Sequence, residues 1–250
     1  MKKTLSWGNL PLKHKVKKIP YNKQIFFNEK NKILPYGNGR SYGDVCLNST
    51  LIDLESLEKF IEIDIENNTL HCSSNTTIKE VLDKIVPLGY FLPVVPGTQN
   101  ITIGGAIAND IHGKNHHNSG SFGNYVDEIE LLRSDLGIIT CNKEYNNKIF
   151  KSSIGGLGLT GIILSAKIKL KNINSEKIIS EKQTFESFDE YLKKNKKLEE
   201  KYEYCVGWVD LINIKNEQFK GILIAGEHFK NDVKKIKINK SKEITFPFVP

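Results

Sequence analysis

Arginine is almost missing from this chain. Of 36 basic residues only Arg40 and Arg133 are arginine, whereas nucleic-acid surfaces favour arginine for bidentate contacts. The formal net charge of +7 therefore reads as a solvated lysine-rich surface, with no nucleic-acid partner expected. Lysines are dispersed or sit in short runs such as Lys193-Lys194 and Lys196-Lys197. Attraction to anionic lipid or to a phosphorylated substrate is the alternative use of that charge. Long apolar runs are also missing: no stretch approaches the roughly 18 residues of a spanning helix. The segment Met1 to Lys18 is basic but lacks a continuous apolar core and a small-residue cleavage site, so no signal peptide is expected. Cys46, Cys72, Cys141 and Cys205 are scattered without a CxxC pair, which suits thiols in a reducing cytosol. With 39% hydrophobic and 26% charged residues over 250 positions, the chain can form one large globular domain or two small ones.

Glycine, by contrast, is clustered. Pro35-Tyr36-Gly37-Asn38-Gly39-Arg40-Ser41-Tyr42-Gly43-Asp44 follows an apolar run. A second cluster runs from Pro96-Gly97-Thr98 through Thr102-Ile103-Gly104-Gly105-Ala106 to Asp110-Ile111-His112-Gly113. One glycine cluster serves any tight turn. Two, flanked by extended segments, suggest backbone amides converging on a long anionic ligand, which points to a cofactor site.

Between residues 31 and 170 short extended runs alternate with turns. Phe60 to Ile65 alternates apolar and acidic residues, a half-exposed strand, and Thr69 to Ser73 returns as its hairpin partner across Asn67-Asn68. Thr77-Ile78-Lys79-Glu80 fits a capping box opening a helix whose stripe is Ile78, Val81, Leu82 and Ile85, ended by Pro87 and Gly89. Val126 to Leu132 and Ile138 to Cys141 read as paired strands, and Ile162 to Leu170 alternates as a further one. Beyond residue 172 the character changes. Lys171 to Lys182 is polar, Phe185 to Lys201 reads as a charged amphipathic helix, and Tyr202 to Leu211 and Gly221 to Ala225 read as strands. A domain boundary is expected near residue 172.

The spacing Gly37-x-Gly39-x-x-x-Gly43 misses the dinucleotide fingerprint, and Val45 to Leu54 after it is strand-like, so a Rossmann site is not expected. Glycines in such a loop can still form an anion nest, with Arg40 adding fixed charge; a plain strand connection is the alternative. Thr102 to Ala108 reads as a short helix whose N-terminus would favour phosphate, or whose small residues serve close packing. His112, His116 and His117 fall in a segment read as a loop from Gly113, Asn115, Asn118 and Gly120, with no acidic partner at ligand spacing. No metal site is expected. Hydrogen bonding to a polar ring or substrate suits the segment better.

Taken together, these motifs resemble the FAD-binding domain of the vanillyl-alcohol-oxidase (p-cresol methylhydroxylase-type, PCMH-type) superfamily. The nearer likeness is to its members that oxidise a polyprenyl-phosphate-linked pentose. The matching text includes Gly39-Arg40-Ser41-Tyr42-Gly43-Asp44, Thr102 to Ala108, Asp110 to His117, Gly120 to Asn124 and Gly158 to Ile163. Trp7-Gly8 and Trp208-Val209-Asp210 fall where that family carries similar residues.

The resemblance implies an α+β fold: a two-subdomain PCMH-type FAD-binding domain over residues 1–172, then the start of an antiparallel-sheet substrate domain over 173–250. It implies that Pro35, Tyr36, Gly37, Asn38, Gly39, Arg40, Ser41, Tyr42, Gly43, Asp44 and Val45 wrap the pyrophosphate and flavin edge. Gly97, Thr102, Ile103, Gly104, Gly105, Asn109, Asp110, Ile111, His112 and Ile162 would complete the FAD site. His112 would lie against the flavin and Lys114 nearer the substrate, as the catalytic pair. FAD is expected to be non-covalent, because Tyr42 stands where relatives with attached flavin carry histidine. The implied reaction is oxidation of the 2-hydroxyl of a lipid-linked sugar phosphate, with a short-chain NAD(P)H-dependent ketoreductase as partner. The setting would be cytoplasmic, with at most peripheral contact at the inner membrane face. A sugar-lactone or alditol oxidase, or a non-catalytic FAD-binding remnant, is the alternative. Family members are longer, so the stop at Phe246-Pro247-Phe248-Val249-Pro250 leads to the expectation of a C-terminally incomplete chain.

Overall fold

The Thr77 hydroxyl and the Glu80 carboxylate satisfy each other's backbone amides, and the first helix, Ile78–Ile85 (α1), starts there as the capping box predicts. Its Ile78, Val81 and Ile85 are buried, and Gly89, in the left-handed conformation, ends the single 3-10 turn that follows. This computed structural model describes residues 6–8, 16–21, 32–215 and 218–230, with backbone alone across 211–215 and 218–219. Most of the basic N-terminal segment and the Phe246 to Pro250 stop lie outside the described residues.

Three short strands, Lys17–Pro20 (β1), Ile33–Tyr36 (β2) and Thr50–Asp53 (β3), form a parallel sheet in the order β1-β3-β2. Ile61–Asp64 (β4) and Thr69–Ser73 (β5) form the predicted hairpin. They join Val126–Arg133 (β7), Gly137–Asn142 (β8) and Ile162–Lys169 (β9) in a five-stranded antiparallel sheet ordered β4-β5-β9-β7-β8. One face of this sheet carries α1, Ile103–Ala108 (α2) and Asn147–Ser153 (α4) over the largest core cluster, which includes Leu70, Ile78, Ile107 and Ile129. On the other face Leu132, Ile162 and Leu164 pack with Ile52 and Leu54 near the parallel sheet. Mixed helix with separate parallel and antiparallel sheets makes the fold α+β.

Strand β9 departs from plain alternation. Ser165 pairs with Glu130 and Ile163 with Leu131, leaving Leu164 as an extra residue in the ladder. This bulge flips the side-chain phase. Ile163 joins Ala166 and Ile168 in the main core, whereas Ile162 and Leu164 turn to the opposite cluster. Residues 162–166 are therefore all buried, and the half-exposed pattern predicted for the whole strand holds only beyond them.

Two residues each from Tyr90–Phe91 (β6) and Lys171–Asn172 (β10) pair antiparallel. Beyond residue 172 a strand unforeseen from composition, Ile178–Phe185 (β11), precedes the helix. The helix is Phe188–Lys201 (α5), capped by Ser187. Phe185 is thus a buried strand end and not a helix start. Its period-two signal is hidden because β11 is an edge strand with most side chains exposed. Tyr204–Lys215 (β12) and Gln218–His228 (β13) complete a sheet ordered β11-β13-β12. Phe185, Leu198, Leu223 and Ala225 bury one face of it beneath α5.

Candidate cofactor site

Gly37 and Thr102 bring the two glycine clusters together. A Cβ built on Gly37 would lie 2.6 Å from Thr102 Oγ1, so only a residue without one allows this approach. The two loops border a cleft of about 1130 Å³. Its lining includes Lys59, Ser74, Asn75 and Thr77 as well as His112, Gly113 and Lys114.

Of the residues expected in the first loop, Pro35, Tyr36, Gly37, Asn38, Gly39, Arg40, Ser41, Tyr42 and Val45 line the cleft. Gly43 and Asp44 belong to the loop, both in the left-handed conformation, but are not on the lining. From the second cluster Gly97, Thr102, Gly104, Gly105, Asn109, Ile111, His112 and Lys114 line it. The side chains of Ile103 and Ile162 are packed in the two cores. Asp110 uses its carboxylate to accept from Gly123 N at 2.8 Å, a turn-holding role at a strained φ of 41°. Ile163, put in phase by the bulge, faces the cleft instead of Ile162.

The amides of α2 do not wait for an anion. Ile103 N donates to Thr76 O (2.8 Å), Gly104 N to Ser74 O (2.8 Å) and Ala106 N to Thr102 O (2.8 Å). Gly105 N donates to Thr102 Oγ1 at 3.1 Å. The phosphate site expected at this helix N-terminus is therefore corrected: its donors are committed within the protein. Gly104 instead permits close packing, since a Cβ there would meet Ser74 Cβ at 3.0 Å. Among the described residues, the amides of Gly37, Asn38, Gly39 and Arg40 donate to no backbone acceptor. Uncommitted backbone donors lie instead in the first loop, which also carries the Arg40 guanidinium.

Trp7, which only the family likeness suggests, lines the cleft against that loop. Its ring meets Tyr42 edge-on at 6.0 Å, and the Arg40 guanidinium sits 6.0 Å from its centroid. Tyr42 is 78% exposed. Gly158 of the Gly158 to Ile163 motif lines the cleft, and so do Lys18, Cys46, Ser74, Asn75 and Leu157, unforeseen from the motifs. No local signal marks them, because each comes from an element whose contribution depends on how the sheets pack. Burial, the largest influence, pushes the Cys46 thiol above its ordinary range, so it stays protonated near neutral pH.

The segment after α2 is not all loop. His116–Ser119 (α3) is a single helical turn, and His112 and His116 meet edge-on at 5.5 Å. Asn115 is wholly buried. Its Nδ2 donates to Pro93 O (2.8 Å) and Ser119 Oγ (2.9 Å), which anchors the backbone just after the His112–Lys114 stretch of the lining.

A family model described as the FAD binding domain matches residues 25–142. The chain carries an FAD-binding domain. It is 35% identical over 185 residues to decaprenylphosphoryl-beta-D-ribose oxidase of Mycolicibacterium smegmatis, covering 72% of this chain and 40% of that protein. It is 26% identical to the mitochondrial L-galactono-1,4-lactone dehydrogenase of Brassica oleracea over 68% of this chain and 28% of that one. A putative D-arabinono-1,4-lactone oxidase of Neurospora crassa is 24% identical, over 65% of this chain and 30% of its own length. The chain thus spans well under half of the length of these relatives.

The residues present fit FAD. Pockets of about 300–1,000 Å³ enclose drug-sized ligands, so this cleft has room for a dinucleotide. Uncommitted amides in the first loop suit a pyrophosphate. Ser74 Oγ and Asn75 Oδ1 are buried on the lining without a hydrogen-bond partner, polar groups that a ligand with its own donors and acceptors would satisfy.

Proposed function

We propose that this protein is an FAD-dependent oxidoreductase acting on a CH–OH group of a sugar, the 2-hydroxyl of a polyprenyl-phosphate-linked pentose. The observation that carries the reading is the cleft itself, whose lining holds the uncommitted first-loop amides, Arg40, His112 and Lys114. The 35% identity to an enzyme named for a decaprenylphosphoryl ribose supports the substrate class. Residues 1–172 would form the FAD-binding unit and 173–250 the beginning of a substrate-binding unit.

Bound FAD would supply the two-electron acceptor chemistry. The first loop would hold the pyrophosphate through its amides, and Arg40 would balance its charge. His112 would lie beside the ring, where a donor stabilises negative charge developing during reduction. Lys114 would receive the substrate phosphodiester at the mouth. Tyr42 offers no imidazole for attachment, so the cofactor would be held non-covalently. Oxidation of one hydroxyl within an epimerising system requires a partner that reduces the ketone, and a short-chain NAD(P)H-dependent ketoreductase has that chemistry. A lipid-linked substrate would bring the protein to the inner membrane face; no helix among the described residues is long and apolar enough to cross a membrane.

A lactone or alditol oxidase is the second reading, favoured by the names of two relatives. Anaerobic titration of the yellow protein separates them. Bleaching of the flavin band by a polyprenylphosphoryl pentose, and not by sugar lactones or alditols, is the expected result. Bleaching by a lactone or alditol alone would favour the second reading, and absence of any flavin would sink both.

A further inference from the structure

The start of β12 clamps the segment that carries His112 and Lys114. Cys205 N donates to Lys114 O at 2.8 Å. The Tyr202 carbonyl lies 3.3 Å from His117 Nε2; a carbonyl only accepts, so His117 carries its proton on that nitrogen. Between these two contacts Glu203 Oε1 faces Asn115 Nδ2 at 3.5 Å. As the numbers rise from 202 to 205 along one stretch they fall from 117 to 114 along the other, so the two run antiparallel.

Glu203 does not stand alone. Its carboxylate also pairs with Lys171 Nζ on β10, and Lys171 reaches the Tyr204 hydroxyl at 3.0 Å. Strand β10 is paired to β6, two residues before Pro93, whose carbonyl holds the same Asn115 amide. One carboxylate therefore links the cleft segment, the short β6-β10 ladder and the second sheet. Glu203, Asn115 and Lys171 are not among the residues that line the cleft.

We propose that Glu203 is a positioning residue that holds His112 and Lys114 in the cleft through Asn115 and Lys171. A carboxylate suits this place because it pairs with the lysine while its negative charge faces the Asn115 amide, whose two hydrogens are already given to Pro93 O and Ser119 Oγ. The glutamine isostere would keep one acceptor but leave the lysine charge without its partner, a costly outcome for a half-buried group. The role of the segment toward FAD rests on the function proposed above; the clamp does not.

Two measurements on the full chain keep those claims apart. The first is amide exchange of cofactor-free protein, comparing Asn118, Ser119 and Gly120, whose amides bond to Asn115 O and His116 O, with amides in α1. In Glu203→Ala and Glu203→Gln the 118–120 amides should exchange at least tenfold faster, with α1 unchanged. The second is the equilibrium constant for reducing bound FAD with a reference dye, which should fall at least threefold as the positive segment loosens. Should the single variants fail to fold, Lys171→Met with Glu203→Leu removes both charges together and is read in the same way. Unchanged exchange at 118–120, or equal acceleration in α1, overturns the clamp. Selective exchange with an unaltered dye equilibrium overturns its role toward the cofactor. A parent protein that binds no FAD sinks the proposed function while leaving the exchange result to decide the clamp.

Discussion

Gly37 and Thr102 stand so close that a single added methyl group would collide. That methyl carbon would sit 2.6 Å from Thr102 Oγ1, a hydroxyl that already accepts from Gly105 N and caps α2. Contact between the two glycine clusters, and not either cluster alone, shapes the cleft. Gly37→Ala must therefore displace Thr102 or the first loop, at a cost of about 1–3 kcal/mol for overpacking. FAD affinity should fall at least tenfold, equivalent to about 1.4 kcal/mol, by fluorescence titration. Parent-like affinity with a parent-like melting temperature would show that the loops can part without consequence.

Gly97 and Gly104 make a contrasting pair. Nothing lies within 4 Å of a Cβ at Gly97, whereas one at Gly104 meets Ser74 Cβ at 3.0 Å and Ser74 O at 3.3 Å. Gly104→Val should destabilise cofactor-free protein by about 1–3 kcal/mol, visible in urea unfolding. Gly97→Val should change that stability by less than about 0.5 kcal/mol yet weaken FAD binding, because the space it fills is the cleft. Equal effects of both on the cofactor-free fold would contradict this division.

Acid precipitation distinguishes held from attached cofactor. With Tyr42 exposed on the lining and no imidazole at that place, yellow FAD should remain in the supernatant. Colour retained by the pellet would falsify non-covalent binding.

His228 makes the second sheet sensitive to acid. Burial, foremost, holds its pKa below the ordinary 6.5, and the Lys171 charge adds to this; the Ser175 carbonyl and Glu203 oppose it. Its ring packs between Phe91 and Tyr204, and Nε2 is buried without a partner. A lowered folded value means that the unfolded chain binds the proton first. Stability is therefore full above about pH 6.5 and declines as pH falls through the unfolded value toward the folded one, by at most about 1.4 kcal/mol per unit. His228→Gln should flatten that part of the urea-midpoint profile between pH 7.5 and 5. An identical slope in the variant would assign the acid sensitivity elsewhere.

Local order is legible wherever one segment carries its own instructions. The capping box at Thr77 and Glu80, the hairpin of β4 and β5 across Asn67-Asn68, and the left-handed turn at Gly89 each depend on residues a few positions apart. Strand β11 is not legible, since an exposed edge strand has little apolar alternation to read. The one-turn α3 escapes notice because four residues between glycines and asparagines have the composition of a loop.

That two glycine-rich loops would serve an extended anionic cofactor can be read from the chain alone, because backbone approach demands residues without a Cβ and the motifs are contiguous. Which of those loops has donors to offer depends on the folded arrangement. The α2 amides are taken by Ser74 and Thr76 from a strand end some thirty residues earlier, and no local pattern reveals such a pairing. The bulge in β9 likewise selects Ile163 over Ile162 for the cleft through its register with β7. Trp7, Asn75 and Glu203 acquire their places in the same way. Their partners lie far away in the chain, and it is packing between sheets that brings them together.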